Sequence, residues 1–243
     1  IGKATASLFA ERGAEIILVA RNKEKLISTI SELSVTNGQN HKYICADFDR
    51  PSDLKESVKK ELSEYDKPIH ILINNSGGPQ GGPLIDAEES EFRIGFERLL
   101  ICSHILAKEV VPRMKEIKYG RIINITSTSV KQVIRGLGVS NTIRGSVAQW
   151  AKTLALELGE FGITVNNILP GFTRTNRLNE LALKNANFEG KTVEDIFKTW
   201  ASNNSINRIG DVKEIAESVA FLASGSSSFI TGHDLVIDGG RFK

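Results

Sequence analysis

Two cysteines, one methionine, two tryptophans and three tyrosines are all that this 243-residue chain has of those residue types. Cys45 and Cys102 lie in apolar surroundings without metal-ligand spacing. This excludes a disulfide-stapled scaffold and a zinc module, and predicts buried, reduced thiols in a cytoplasmic protein. No apolar run approaches the ~18 residues that a membrane-spanning helix needs. A net charge of +2, with no basic stripe interleaved with aromatics, gives neither nucleic acid nor an anionic membrane surface a footing. The histidines (His41, His70, His104, His233) are scattered without metal or triad spacing and read as structural. Internal repeats and low-complexity segments are absent. A hydrophobic fraction of 40% and a charged fraction of 25% suit an ordinary globular protein with a large core.

What the chain does have is centred on Gly120–Thr175. An apolar β-branched run, Ile122 to Ile125, ends in hydroxyl residues. A loop and a long amphipathic helix follow, then a second strand from Ile163 to Leu169 and a Pro170–Gly171 turn. This is a strand–helix–strand crossover with polar side chains at the carboxyl ends of both strands, the edge at which parallel sheets bind ligands. The same alternation runs through the chain and predicts one α/β domain over 1–243. Further strands are expected at Glu15–Ala20, Tyr43–Ala46, Ile69–Ile73 and Leu235–Ile237. Asp49 or Ser52 is expected to cap a helix from Asp53 to Glu64. One long helix is expected from Asp86 to Lys115, with Phe92, Phe96, Leu99, Leu106 and Val110 on its apolar stripe. A polar helical stretch follows Thr175, and Asp211 caps a helix from Val212 to Ala223.

The motifs NNSG at Asn74–Gly77, GRIINITS at Gly120–Ser127, TLALEL, GITVNNILPG at Gly162–Gly171 and FLASGSSSFITG occur in this order. Together they resemble the short-chain dehydrogenase/reductase family, in the style of its 3-oxoacyl-acyl-carrier-protein reductases, across essentially the whole chain. The resemblance implies a Rossmann-like doubly wound parallel sheet ordered 3-2-1-4-5-6-7. Ile1-Gly2 resembles the last two letters of the family's glycine-rich loop, so the first strand and most of that loop are expected ahead of this chain. It also implies a dinucleotide held by Gly2, Asp47, Phe48, Asn75, Ser76, Gly77, Pro170, Gly171, Thr173 and Thr175, with 176–207 as a lid over a small-molecule substrate. A homodimer or homotetramer built on the helices around Asp86–Lys115 and Gly145–Gly159 is implied likewise. Ala20 stands where relatives that prefer NAD carry an acid, and Arg21 follows it. A guanidinium there can pair with a 2′-phosphate, so NADP(H) is favoured over NAD(H).

The resemblance breaks where the family does its chemistry. Family members use an asparagine, a serine, a tyrosine and a lysine. Aligned without gaps from Phe92 to Thr175, these positions hold Leu99, Ser127, Ser140 and Arg144. Ser140 and Arg144 keep the one-face spacing of the tyrosine–lysine pair. A serine hydroxyl is a far poorer acid than a phenol, and an arginine stays protonated. Arg144 can still hold ribose hydroxyls or a substrate carboxylate. Lys131, with Arg135, Arg144, Arg174 and Arg177, suggests either an anionic substrate or Lys131 as proton donor. Two readings stay open: an oxidoreductase with altered acid–base groups, and a catalytically silent homologue that binds the dinucleotide as a sensor or assembly partner.

Overall fold

The computed structural model of the chain describes residues 1–242. Six strands form, all pairing in parallel: β1 (Ile17–Ala20), β2 (Lys42–Cys45), β3 (Ile71–Asn74), β4 (Gly120–Ile125), β5 (Ile163–Pro170) and β6 (Asp234–Ile237). Two ladders result, β1-β2 and β3-β4-β5-β6. This is the Rossmann-like order expected from the sequence, broken between β1 and β3. A break separates the two ladders. β1 and β3 border it and are only half-buried for most of their length, whereas β4 is buried throughout.

Helices cover both faces. Because side chains alternate across a strand, Ile122 and Ile123 of β4 enter different cores. Ile122 packs with Val165, Met114 of α5 (Cys102–Glu116) and Ala151 of α6 (Gly138–Leu158). Ile123 packs with Ile168 and with Ile215 and Val219 of α9 (Val212–Ala223). α9 has the capping box expected at Asp211, with Glu214 answering from its third position. It also packs against α1 (Gly2–Glu11). α2 (Lys23–Glu32) starts at an Asn22 cap, and α3 (Pro51–Ser63) packs on α5. No helix among the described residues is long and apolar enough to cross a membrane.

Four expectations need correction. The long helix from Asp86 to Lys115 is interrupted: a 3₁₀ turn at Leu84–Asp86 precedes α4 (Glu89–Phe96), and a π-turn at Glu97–Ile101 joins α4 to α5. The wider π-turn rotates the apolar stripe, so Leu99 is buried at 5% while Phe96 is exposed at 39%. α3 is capped neither by Asp49 nor by Ser52. Arg50 precedes it and Pro51, whose fixed φ suits the first helical position, begins it. Asp49 instead accepts a 2.5 Å bond from Arg98 Nε. Finally, only Cys102 is buried. Cys45 ends β2 on the face opposite the inward-pointing Ile44 and is exposed.

A row of polar side chains crosses the main ladder. Asn74, Asn124, Asn167 and Asp234 are register partners on β3, β4, β5 and β6. Asn74 Nδ2 donates to Asn124 Oδ1 at 2.8 Å, Asn124 Nδ2 to Asn167 Oδ1 at 2.9 Å, and Asn167 Nδ2 to Asp234 Oδ1 at 2.8 Å. All four are buried.

Candidate active site at the carboxyl edge of the sheet

Beyond β4 the chain continues as Thr126 and Ser127. Ser127 is extended and caps the 3₁₀ turn Thr128–Val130, its Oγ accepting from the Ser129 N–H at 3.1 Å. Its own O–H takes no part in that bond and is available to an acceptor. Ser140 and Arg144 lie on the first turns of α6, one turn apart on the same face. Arg144 Nε donates to Ser140 Oγ at 3.1 Å, and Nη1 donates to the carbonyl of Thr126 at 2.7 Å and of Ile125 at 3.4 Å. The guanidinium therefore lies across the end of β4, on the two carbonyls that precede Ser127. Burial and then the like charge of Arg177 pull its pKa down to about 10, which leaves it protonated at neutral pH.

The remaining nitrogen, Nη2, faces the loop after β3. A Cβ built on Gly78 would come within 2.6 Å of it and within 3.5 Å of Arg177 Nη1. Arg177 reaches this loop from α7 (Asn176–Glu189), donating to the carbonyls of Gly78 at 2.9 Å and Pro79 at 2.7 Å. α7 and α8 (Val193–Ser202) form the segment expected as a lid. Leu178, Ala182, Ile196 and Trp200 make its core, with Phe172 stacked on Trp200 at 4.9 Å. Below Arg144 lies a cavity of about 10 Å³ bordered by Asn74, Ser76, Leu99, Ser103 and Asn124. Buried Asn74 Oδ1 has no partner there. A single water would fill such a polar space.

A family model described as enoyl-(acyl carrier protein) reductase matches residues 1–241. The chain belongs to the short-chain dehydrogenase/reductase family. It is 32% identical to the 3-oxoacyl-[acyl-carrier-protein] reductase FabG of Vibrio cholerae, over 100% of this chain and 93% of that one. Among solved structures it is similar to the L-sorbose reductase of Gluconobacter frateurii complexed with NADPH and L-sorbose, with a TM-score of 0.93 at 26% identity, covering 100% of this chain and 92% of that one. It is also similar to an NAD+-bound xylitol dehydrogenase, with a TM-score of 0.89 at 26% identity over 98% and 94% of the two chains.

Most of the residues expected to hold a dinucleotide lie at or beside the carboxyl ends of the strands. α1 begins at Gly2. A Cβ at Gly2 would approach Asn75 Nδ2 to 2.7 Å, so backbone and amide meet closely there. Gly77 borders open space, and Ser76 Oγ donates to the Arg98 carbonyl at 3.2 Å. Arg21 follows β1 directly and lies 3.6 Å from Asp49, largely exposed. Asp47 accepts from the Asp49 N–H at 3.0 Å, and Phe48 packs against the core formed by Ile44, Leu54 and Cys102. At the other end, Pro170 closes β5 and Gly171 N–H donates to Ile237 O at 2.8 Å. A Cβ at Gly171 would sit 2.6 Å from Asp238 Cβ and 2.7 Å from its Cα. Thr173 Oγ1 donates to Gly171 O at 3.2 Å, and Thr175 caps α7 by accepting from the Leu178 N–H.

The basic residues singled out by sequence do not gather in one pocket. Lys131 lies 3.3 Å from the buried carboxylate of Asp234, which Lys152 also holds at 2.8 Å. Arg174 stacks over Phe197, and Arg135 is exposed. Only Arg144 and Arg177 come together. The three tyrosines are placed elsewhere: Tyr43 lies within β2, Tyr65 donates to Glu15 at 2.6 Å, and Tyr119 precedes β4 at the opposite edge of the sheet. Beyond Asn74, which the family resemblance expects to bond to neighbouring strands, the asparagine row is not read from the sequence. Its signal was there, an asparagine inside each of three apolar runs, ILIN, IINI and VNNI.

Proposed function

We propose that the chain is an NADP(H)-dependent oxidoreductase of the 3-oxoacyl-reductase style, working with an altered acid–base pair as a cytoplasmic homodimer or homotetramer. One observation carries the reading. Ser127, with its O–H free, and the Pro170–Thr175 turn are both intact around the substituted Ser140–Arg144 pair. Bound cofactor supplies the hydride that converts a carbonyl carbon to a hydroxyl-bearing one. Ser127 donates to the carbonyl oxygen and polarises it. Arg144, with its Nη2 uncommitted, places positive charge beside the substrate. The proton that completes the alcohol comes from water at Ser140, since no phenol is at hand. Lys131 stands apart from this set, held by Asp234. Loss of the general acid lowers the rate by about 10²–10⁴, which leaves positioning and hydride transfer in place. The favoured cofactor is NADP(H), supported by Arg21 beside β1 and by the NADPH named for the sorbose reductase.

The silent-homologue reading is favoured by one specific feature. Arg144 spends Nε and Nη1 on Ser140 and on backbone carbonyls rather than on a proton relay. Transfer from deuterium-labelled NADPH to acetoacetyl thioesters and small ketones separates the two. Deuterium in the product, against a protein-free control, is the expected outcome. NADPH binding without transfer would establish the silent homologue, and absence of binding would remove the cofactor from both readings.

A further inference from the structure

Arg144 and Arg177 converge on Gly78 from α6 and α7 with no acid between them. The contrast with other arginines is direct: Arg12, Arg98 and Arg208 each hold a carboxylate within 2.7 Å. Arg144 feels only one neighbouring charge, that of Arg177, and it is of the same sign. Two guanidinium groups held this close repel one another until an anion joins them. Their uncommitted donors point the same way. Arg144 uses Nε and Nη1 internally and keeps Nη2, which borders Gly78. Arg177 gives one bond from each terminal nitrogen to the Gly78 and Pro79 carbonyls, and each nitrogen has a second hydrogen. A Cβ at position 78 would crowd Arg144 Nη2 at 2.6 Å, and glycine leaves that space clear.

We propose that Arg144 and Arg177 form a carboxylate-binding site, and that the carbonyl substrate is an oxo acid whose carboxylate joins α6, the Gly78–Pro79 loop and the α7 lid. The oxidoreductase reading enters only in what the carboxylate is attached to. Two oxygens match the free Nη2 of Arg144 on one side and the spare hydrogens of Arg177 on the other, each contact a charge-assisted hydrogen bond. Arg177 is exposed, so the anion enters from solvent and meets the lid residue first, then the inner guanidinium. Binding would tie α7 to the 78–79 loop more firmly than the two carbonyl bonds alone.

The test uses the full chain and calorimetric titration with acetoacetate, methyl acetoacetate and inorganic phosphate, each with and without NADPH. Acetoacetate is expected to bind about tenfold more tightly than its neutral ester, a difference of about 1.4 kcal/mol. Arg177→Met should remove this preference while NADPH affinity stays within about twofold, and Arg177→Gln guards against a folding defect. Arg144→Lys, which keeps the charge and loses the fork, should weaken acetoacetate more than ester. Equal binding of acid and ester, or an unchanged preference in Arg177→Met, overturns the site. Phosphate that binds more tightly than acetoacetate and displaces it overturns the carboxylate assignment. An acid preference without NADPH binding supports the anion site and sinks the oxidoreductase reading instead.

Discussion

Ser140 is 5% exposed, and its oxygen accepts from Arg144 Nε at 3.1 Å. A hydroxyl in that setting neither ionises at neutral pH nor reaches far from α6. The helical face that would present a phenol and an ammonium to the substrate therefore presents a short hydroxyl and a fixed guanidinium. Restoring both at once, Ser140→Tyr with Arg144→Lys, should raise turnover of a 3-oxoacyl thioester by about 10²–10⁴, read as NADPH oxidation. Ser140→Tyr alone should give less, because Arg144 stays bonded to Thr126 O and cannot lower the phenol's pKa as a mobile ammonium would. A double variant that folds, binds NADPH and gains nothing would show that the fault lies outside this pair. At this scale the spacing of Ser127, Ser140 and Arg144 was legible in the sequence, as was the packing role of Leu99. The pairing of Lys131 with Asp234 was not. These residues are 103 positions apart, and no local pattern announces a contact made across the end of a sheet.

Between elements, the asparagine row fixes how β3, β4, β5 and β6 stand relative to one another. Each amide donates one way along the row, and the row ends on Asp234, whose other oxygen takes Lys131 and Lys152. Asn124→Ala removes a donor and an acceptor in the middle and strands two buried amides. Each unsatisfied group costs about 1–3 kcal/mol, so a loss of at least about 2 kcal/mol is expected in urea denaturation. Asn124→Ala with unchanged stability would mean that water replaces the amide. The π-turn at Glu97–Ile101 acts at the same scale. It brings Leu99 into the core with Val139, Ile143 and Val147 of α6, behind the turn that carries Ser140 and Arg144. A strict 3.6-residue period cannot reveal such a turn, and this is why one unbroken helix was expected there.

For the molecule as a whole, several carboxylates are held below their usual range. Glu214 sits at about 2, chiefly through its bond from Arg208. Asp49 is lowered chiefly by Arg98. Burial pushes Asp234 up, but the bonds from Lys152 and Asn167 outweigh it and leave it lowered. Each folded value lies below an unfolded value near 4. The unfolded chain therefore takes up protons first as pH falls. The stability these groups contribute is fully present above about pH 5 and is lost as pH drops through 4 towards 2. Glu214 is 43% exposed in its side chain, so solvent screening reduces its share and Asp234, at 2%, contributes more. Urea midpoints should be flat from pH 7 to 5 and fall below pH 4, and Asp234→Asn should flatten part of that fall. An equal decline in wild type and variant would assign the acid sensitivity elsewhere.

The sequence by itself determined the alternation of strands and helices, the polar residues that follow the strands, and the spacing that places Ser140 and Arg144 on one helical face. These depend on spacing and residue type within short windows, where period and covalent geometry act directly. Only the tertiary structure decided which charges meet. It split one apparent cluster of basic residues into an Asp234 pair, an aromatic stack, an exposed arginine and the Arg144–Arg177 couple. The reason is physical: a guanidinium's partners lie at the end of a long, flexible side chain, and they come from segments that only the closed sheet and its covering helices bring within 3 Å of one another.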